Sequence, residues 1–321
     1  MPDTSSVRLV TVGATRASTI LAMSRSVAIL LNPASGKGRS AEYGPRLIDS
    51  FARRGVDASL LTGDSAEHAV ELARHAVADG VDALIAAGGD GTVNTALQAV
   101  AETSTPLGIV SLGTGNDNAT LLGLPVKDPE GAVDIACMFR PRTVDVASVV
   151  TADGRKQYFL GVLSAGFDSL VTERANQLSW PKGDARYLVA VLAELRTFQP
   201  CEFTITVDGE IMQDRGMLAA VGNGVTYGGG MRVCEGAEVD DGLLQVTWLH
   251  EASKVDFIRA FPKVFKGTHT DHPRVSQHAG ARVRIEAEGQ LAYADGDRMG
   301  ELPIDIEVHP GALQVLTRQG K

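Results

Sequence analysis

Cysteine is scarce in this chain. Cys137, Cys201 and Cys234 stand among 321 residues, odd in number, widely spaced and without a CxxC pair. That excludes a disulfide framework or a cysteine-based zinc module, and it suits a reducing, cytoplasmic setting in which the three thiols are core residues. Long apolar runs are missing as well, so no transmembrane helix is expected and any membrane contact should be peripheral. The mildly apolar residues 11–23 are broken by Thr15, Arg16, Ser18 and Thr19 and follow no basic leader, which makes them a poor signal peptide. Positive charge is outnumbered, with 30 Lys plus Arg against 39 Asp plus Glu and a net charge of −9. Nucleic-acid binders draw most of their affinity from neutralising phosphates with Lys and Arg, so no nucleic-acid partner is expected. Internal repeats and low-complexity linkers are also absent.

What remains is an ordinary globular composition, 44% hydrophobic and 21% charged, in a chain long enough for two domains. Residues 1–25 form an N-terminal tail, a candidate for disorder. Over residues 26–140 strand-like runs (27–31, 58–61, 82–87, 108–112) alternate with helical spacing after Ser40, at 66–79 and at 93–102. That rhythm predicts a doubly wound parallel sheet whose ligands bind beyond the strand carboxyl ends. From 141 to 321 the pattern changes to short alternating runs at 144–150, 158–163, 203–207 and 282–287. Asp153-Gly154, Asp208-Gly209 and Asp295-Gly296 punctuate them as hairpin turns, which predicts an antiparallel β-sandwich interrupted by helices at 184–198 and 253–266. Its last residues are free to return to the first domain.

Three glycine-rich loops follow strands of the first domain. Asn32-Pro33-Ala34-Ser35-Gly36-Lys37-Gly38-Arg39 has phosphate-loop character but is not a Walker A loop, because Lys37 is followed by Gly38 rather than Ser or Thr; a bare Gly/Ser turn would look similar. Gly88-Gly89-Asp90-Gly91-Thr92-Val93-Asn94 follows a buried strand and opens a helix that Thr92 can cap, with Asp90 able to hold Mg²⁺ or take a proton. Gly113-Thr114-Gly115-Asn116-Asp117 follows the next strand. Loops at successive strand ends converge, and a triphosphate with its metal is their natural occupant, with Asp90 and Asp117 as candidate ligands or bases.

In this order the loops resemble the NPxSG, GGDGTxN and GTxND motifs of the diacylglycerol-kinase catalytic family, which includes bacterial lipid kinases and sphingosine kinases. Val221-Gly222-Asn223, Gly228-Gly229-Gly230-Met231, Asp240-Asp241-Gly242-Leu243, residues 267–269 and Asp295-Gly296-Asp297 continue the likeness. The resemblance implies an NAD-kinase/phosphofructokinase-like first domain and ATP-dependent transfer of a phosphoryl group to a lipid hydroxyl. It implies nucleotide contacts at Asn32, Pro33, Ala34, Ser35, Gly36, Thr62, residues 88–94 and Thr114. It places a structural Mg²⁺ at Asp241 with the backbone carbonyls of Glu238 and Leu243, and a proton acceptor at Asp297, where the family has Glu. Implied partners are ATP and a membrane-derived lipid met at a peripheral membrane surface; a homodimer stays open.

The chain departs from the family at Thr95, commonly Glu, and at Asn118-Ala119-Thr120, often Phe-Ala-Arg. The phosphate core is kept while its flanks differ, so the acceptor is less defined than the nucleotide. An NAD-kinase-like soluble kinase shares the GGDG loop, and a non-catalytic nucleotide- or lipid-binding regulator is the alternative outside enzymes. His269, His272 and His278 lack zinc-site spacing and read as surface residues. Phe257, Phe261 and Phe265 recur at i, i+4 and i+8 and read as a core face, with an acyl-channel lining as the alternative.

Overall fold

The computed structural model describes residues 25–31, 40–113, 115–178 and 184–318. Of the expected tail, residues 1–25, all but Arg25 lie outside them. The first half runs β1 (Ser26–Leu31), α1 (Ser40–Arg53), β2 (Asp57–Leu61), α2 (Ala66–Ala78), β3 (Ala83–Gly88), α3 (Asp90–Val100), β4 (Leu107–Ser111), α4 (Asp117–Leu121) and α5 (Pro129–Met138). The second half continues with β5 (Pro141–Thr151), β6 (Lys156–Phe159), β7 (Val162–Gly166), α6 (Phe167–Gln177), α7 (Asp184–Thr197), β8 (Cys201–Val207) and β9 (Glu210–Gly222). Then come β10 (Leu244–His250), α8 (Lys254–Val264), β11 (Val275–Gly280), β12 (Arg282–Glu286), β13 (Leu291–Ala294), β14 (Asp297–Glu301) and β15 (Ile304–Leu316).

β1 and β3 are short Val/Ala/Ile/Leu runs, and every residue from Val27 to Leu31 and Ala83 to Gly88 is buried. Such strands need cover on both faces, which a parallel sheet with crossover helices supplies. β1 pairs in parallel with β2 and β3, and β3 with β4, giving the order β2-β1-β3-β4. The order reverses between β1 and β3, where doubly wound sheets bind ligands. Helices α2, α3 and α5 start at local signals: Ser65 accepts from the His68 N–H, Gly89 is the N-cap of α3, and Asp128 accepts from the Gly131 N–H with proline at the helix start.

The remaining strands are antiparallel. β5 pairs along its length with β15, and β15 then reaches the first sheet, where Val315 pairs with Leu107 of β4. A second core gathers Phe203, Ile205, Val246, Trp248, Ile285 and Ile306 from several of these strands. Asp208-Gly209 and Asp295-Gly296 are two-residue hairpin loops with φ of 48° and 93°, and 50° and 89°. Both central residues are left-handed, as a type I′ turn requires.

Four expectations need correction. The run 158–163 is not one strand but β6 and β7, broken at Leu160-Gly161 because Asp295 takes the N–H groups of Leu160, Gly161 and Val162, each at 3.0 Å. Cys234 is buried, but Cys137 and Cys201 are only half-buried. His269 is a buried residue, not a surface one. The aromatic face of α8 divides, Phe257 being buried and Phe265 50% exposed, since residues eight apart on a helix are about 80° out of line.

Candidate active site

Helix α3 starts at Asp90, directly after Gly89, earlier than the apolar periodicity suggests. Thr92 therefore caps nothing. It is buried in the first turn and packs on Gly88, where a Cβ would meet its Oγ1 at 2.2 Å. Val93 points into the first core, and Asn94 is buried. Of the expected nucleotide residues in this loop, Gly89, Asp90 and Gly91 remain on the accessible side. Thr62 is exposed beyond the carboxyl end of β2. Asn32, Pro33, Ala34, Ser35, Gly36 and Thr114 lie outside the described residues.

The two described loops are fastened together by Asp90. One carboxylate oxygen accepts the Asn116 N–H at 2.8 Å and the other the Asn118 N–H at 3.1 Å. Asn116, left-handed at φ 60°, accepts from the Gly113 N–H and donates back to its carbonyl. The loops touch at their glycines: a Cβ on Gly113 would stand 2.6 Å from the Gly89 Cα, whereas one on Gly89 would stand 3.4 Å from the Gly113 Cα. Gly113→Ala is therefore expected to force the loops apart and cost about 1–3 kcal/mol, while Gly89→Ala meets no such clash and loses only the N-cap preference, about 0.5–1 kcal/mol. Calorimetry of both variants checks this, and equal melting temperatures would count against the contact.

The second half of the chain joins the site at two points. At the first, Gly228, Gly229 and Gly230 are all left-handed, with φ of 61°, 81° and 95°, a run that only glycine adopts readily. That turn aims the Gly229 N–H at Asp117, 3.0 Å from one carboxylate oxygen and 3.2 Å from the other. At the second, the Asn94 side-chain amide donates to Asp297 at 2.9 Å, and the Asn118 amide approaches Asn94 Oδ1 at 3.4 Å. Asp90, Asn118, Asn94 and Asp297 thus form one polar chain from the phosphate loops to the β13–β14 turn. Asn118 stands where the family has an aromatic residue. The other departures are absorbed locally, Thr95 donating to the Gly91 carbonyl and Thr120 to that of Asn116.

The charges are mutually tuned. Burial pushes the Asp117, Asp295 and Asp297 carboxyls upward, Asp295 to about 6, and the charge of Asp90 adds to each. The Gly229 N–H opposes the rise at Asp117, three backbone N–H groups oppose it at Asp295, and the Asn94 amide opposes it at Asp297.

The expected metal residues lie on a different turn. Glu238, Asp241 and Leu243 are exposed, and buried Asp145 holds this turn from below, accepting the Gly242 and Gly311 N–H groups, both at 2.7 Å. One Asp241 oxygen accepts the Leu243 N–H at 2.9 Å, and the other takes no partner among the described residues. Among those residues, no three His, Cys, Asp or Glu side chains stand together as a metal site. A carboxylate oxygen beside main-chain carbonyls still fits a hard cation.

An apolar cavity opens beside the site, enclosing about 620 Å³ of atom-free space with its mouth included. Phe167 of α6, Val191 of α7, Leu218 of β9 and Phe257, Ala260 and Phe261 of α8 form much of its wall. Tyr227 and Met231, which flank the glycine turn that bonds Asp117, also line it, as do Val233 and the buried Asp168. Phe257 and Phe261, for which an acyl-channel lining was the alternative to a core face, are among the lining residues, whereas the wall supplied by α6 was not expected because that helix carries little periodicity. His269 lines it too; its Nε2 faces the Val233 carbonyl at 3.0 Å and its Nδ1 has no hydrogen-bond partner among the described residues. Burial holds its pKa below the usual histidine range.

A parallel sheet whose switch-point loops receive a carboxylate from an antiparallel sandwich defines the NAD-kinase and diacylglycerol-kinase class of fold. The model of the diacylglycerol kinase catalytic domain matches residues 26–149, and that of the YegS C-terminal NAD kinase beta sandwich-like domain matches 161–317. A diacylglycerol kinase of Mycobacterium tuberculosis is 42% identical over 292 residues, covering 90% of this chain and 94% of that protein. The chain belongs to the diacylglycerol kinase family. Its fold is shared with a diacylglycerol kinase structure from Bacillus anthracis, with TM-score 0.68, 22% identity and coverage of 92% of this chain and 97% of that one. An NAD kinase from Archaeoglobus fulgidus in complex with ATP aligns at TM-score 0.52 and 14% identity, covering 92% and 94%. Among the described residues no helix is long and apolar enough to cross a membrane.

Proposed function

We propose that the chain transfers the γ-phosphoryl group of ATP to a hydroxyl of diacylglycerol or a related lipid. Residues 26–140 act as the nucleotide domain and 141–321 as the acceptor domain. The observation that carries this reading is the Asn94–Asp297 hydrogen bond of 2.9 Å, which brings a second-domain carboxylate to the loops at the sheet's switch point. ATP lies across the carboxyl ends of β1, β3 and β4, with its phosphates against Gly89, Gly91 and the residue 32–36 loop. Asp297 accepts the proton of the attacking lipid hydroxyl. Asp90 and Asp117 position the site rather than react, because their oxygens receive the backbone N–H groups of Asn116, Asn118 and Gly229.

The acyl portion of the acceptor occupies the apolar cavity behind the glycine turn. Asp241, with the Glu238 and Leu243 carbonyls, would hold a structural Mg²⁺ that stiffens the turn over Asp145. Mg²⁺ bound with the nucleotide supplies charge neutralisation at the phosphates. The second-domain cavity favours a lipid over NAD as acceptor.

The test is turnover of labelled ATP with Mg²⁺ and a detergent-dispersed panel of diacylglycerol, monoacylglycerol, phosphatidylglycerol and sphingoid base, beside NAD alone. A labelled lipid is expected. Robust NAD phosphorylation with an unlabelled panel would overturn the reading. Ala260→Phe, which fills the cavity, should raise the KM for a long-chain acceptor several-fold and leave that for ATP unchanged.

A further inference from the structure

Helix α8 is apolar on two opposite sides. Its inner side, Phe257, Ala260, Phe261 and Val264, lines the cavity. Its outer side exposes Val255, Ile258 and Phe265 by 55%, 53% and 50%, with exposed Pro262 between them. These positions fall at i, i+3, i+7 and i+10, one stripe of a helix. Single exposed apolar residues are normal on any protein, but a stripe of them calls for an occupant.

Charge identifies the occupant. Exposed Arg259, Lys263 and Lys266 border one edge of the stripe, and none of them forms an ion pair among the described residues. Lys254 borders the other edge, donating to the Arg196 carbonyl at 2.6 Å. Asp256 is the sole acid between residues 253 and 266 and is engaged by the Ser253 hydroxyl at the helix start. Three cations on one short helix and a fourth in the turn that follows it, in a chain of net charge −9, concentrate positive charge beside exposed apolar side chains. That combination suits the plane of an anionic bilayer, where apolar side chains enter the acyl boundary and cations meet lipid phosphates.

We propose that α8 docks the protein on anionic membranes, with Val255, Ile258 and Phe265 inserted and Arg259, Lys263 and Lys266 on the headgroups. Docking rests on this surface alone. Its use rests on the lipid-kinase reading, because the same helix walls the cavity that would receive the acceptor.

The experiment is co-sedimentation of the full chain with phosphatidylcholine vesicles, with and without phosphatidylglycerol, at low and high salt. Binding is expected only to the anionic vesicles and should weaken with salt. Each headgroup cation is worth about fivefold, so Lys263→Glu with Lys266→Glu should cut binding by more than about tenfold. The triple variant Val255→Ser, Ile258→Ser, Phe265→Ser should do likewise, both variants melting like wild type. Turnover of a short-chain diacylglycerol dispersed without vesicles should be unchanged, which reads the kinase reaction separately from docking. Wild type that ignores anionic vesicles, or variants that bind like wild type, would overturn the proposal. So would a triple variant that keeps vesicle binding but converts a dimer to a monomer in light scattering, because the stripe would then be a subunit contact.

Discussion

Asp297→Asn should lower kcat by roughly 10²–10⁴-fold, the usual contribution of a positioned proton acceptor, while ATP affinity stays within about twofold. Asparagine keeps the shape and can still bond Asn94, so the loss isolates the missing basicity. Asp297→Glu, which restores the residue type the family commonly carries, should remain within about tenfold of wild type. The pH profile gives a second reading. Asp297 must be ionised to accept a proton, so activity falls as pH drops through its pKa. Burial raises that pKa, the Asn94 amide lowers it and the charge of Asp90 raises it. Asn94→Ala removes the lowering contact and should move the acid limb of kcat/KM to higher pH. Rapid-quench assays across pH measure both effects. A rate for Asp297→Asn within about tenfold of wild type would remove this residue from the chemistry.

The parallel sheet was legible because its strands are short buried runs separated by helical periodicity, and its loops because glycines recur at the strand ends, joined by aspartate at 90 and 117. Two of the three Asp-Gly hairpins were legible for the same local reason, since two left-handed residues in succession admit few other pairs, whereas Asp153-Gly154 lies in a longer loop between β5 and β6 in which only Gly154 is left-handed. What could not be read locally is what each aspartate holds. Asp90 looked like a metal ligand or base, yet both of its oxygens receive N–H groups from residues more than twenty positions away. Asn94 looked like a nucleotide contact and instead holds Asp297 across 203 positions. Asp145, which braces the acidic turn from inside, lies within β5 with no turn or loop to mark it, and Asn223, although its motif was noted, gave no local sign that it holds the β6–β7 break. The two sides of α8 were hidden by a single aromatic spacing that joined buried Phe257 to exposed Phe265.

Asp295→Ala should be the most destabilising substitution in the site, because this side chain joins β13 to the β6–β7 break. Its carboxylate accepts the Leu160, Gly161 and Val162 N–H groups, while Asn223 holds the same loop from the opposite side by donating to the Leu160 and Gly161 carbonyls. Alanine strands three donors at about 1–3 kcal/mol each; water reaching part of the turn reduces the sum to about 3–5 kcal/mol. For a chain of this size that lowers Tm by about 4–7 °C. Asp295→Asn keeps one acceptor oxygen but turns an amide NH₂ toward an N–H, so its loss should be intermediate. The carboxyl is pushed up to about 6 in the folded protein, chiefly by burial, against about 3.9 in the unfolded chain. The native state therefore binds more protons across that interval, and this residue's contribution to stability falls as pH rises from about 4 to about 6 and is level above it. The stability gap between wild type and Asp295→Asn should narrow across the same window. Thermal melts of the three proteins through it decide the matter: an alanine variant melting within about 2 °C of wild type at neutral pH would show that the three N–H groups find other partners, and a gap that widens from about pH 4 to about pH 6 would show that those N–H groups outweigh burial and hold the carboxylate ionised.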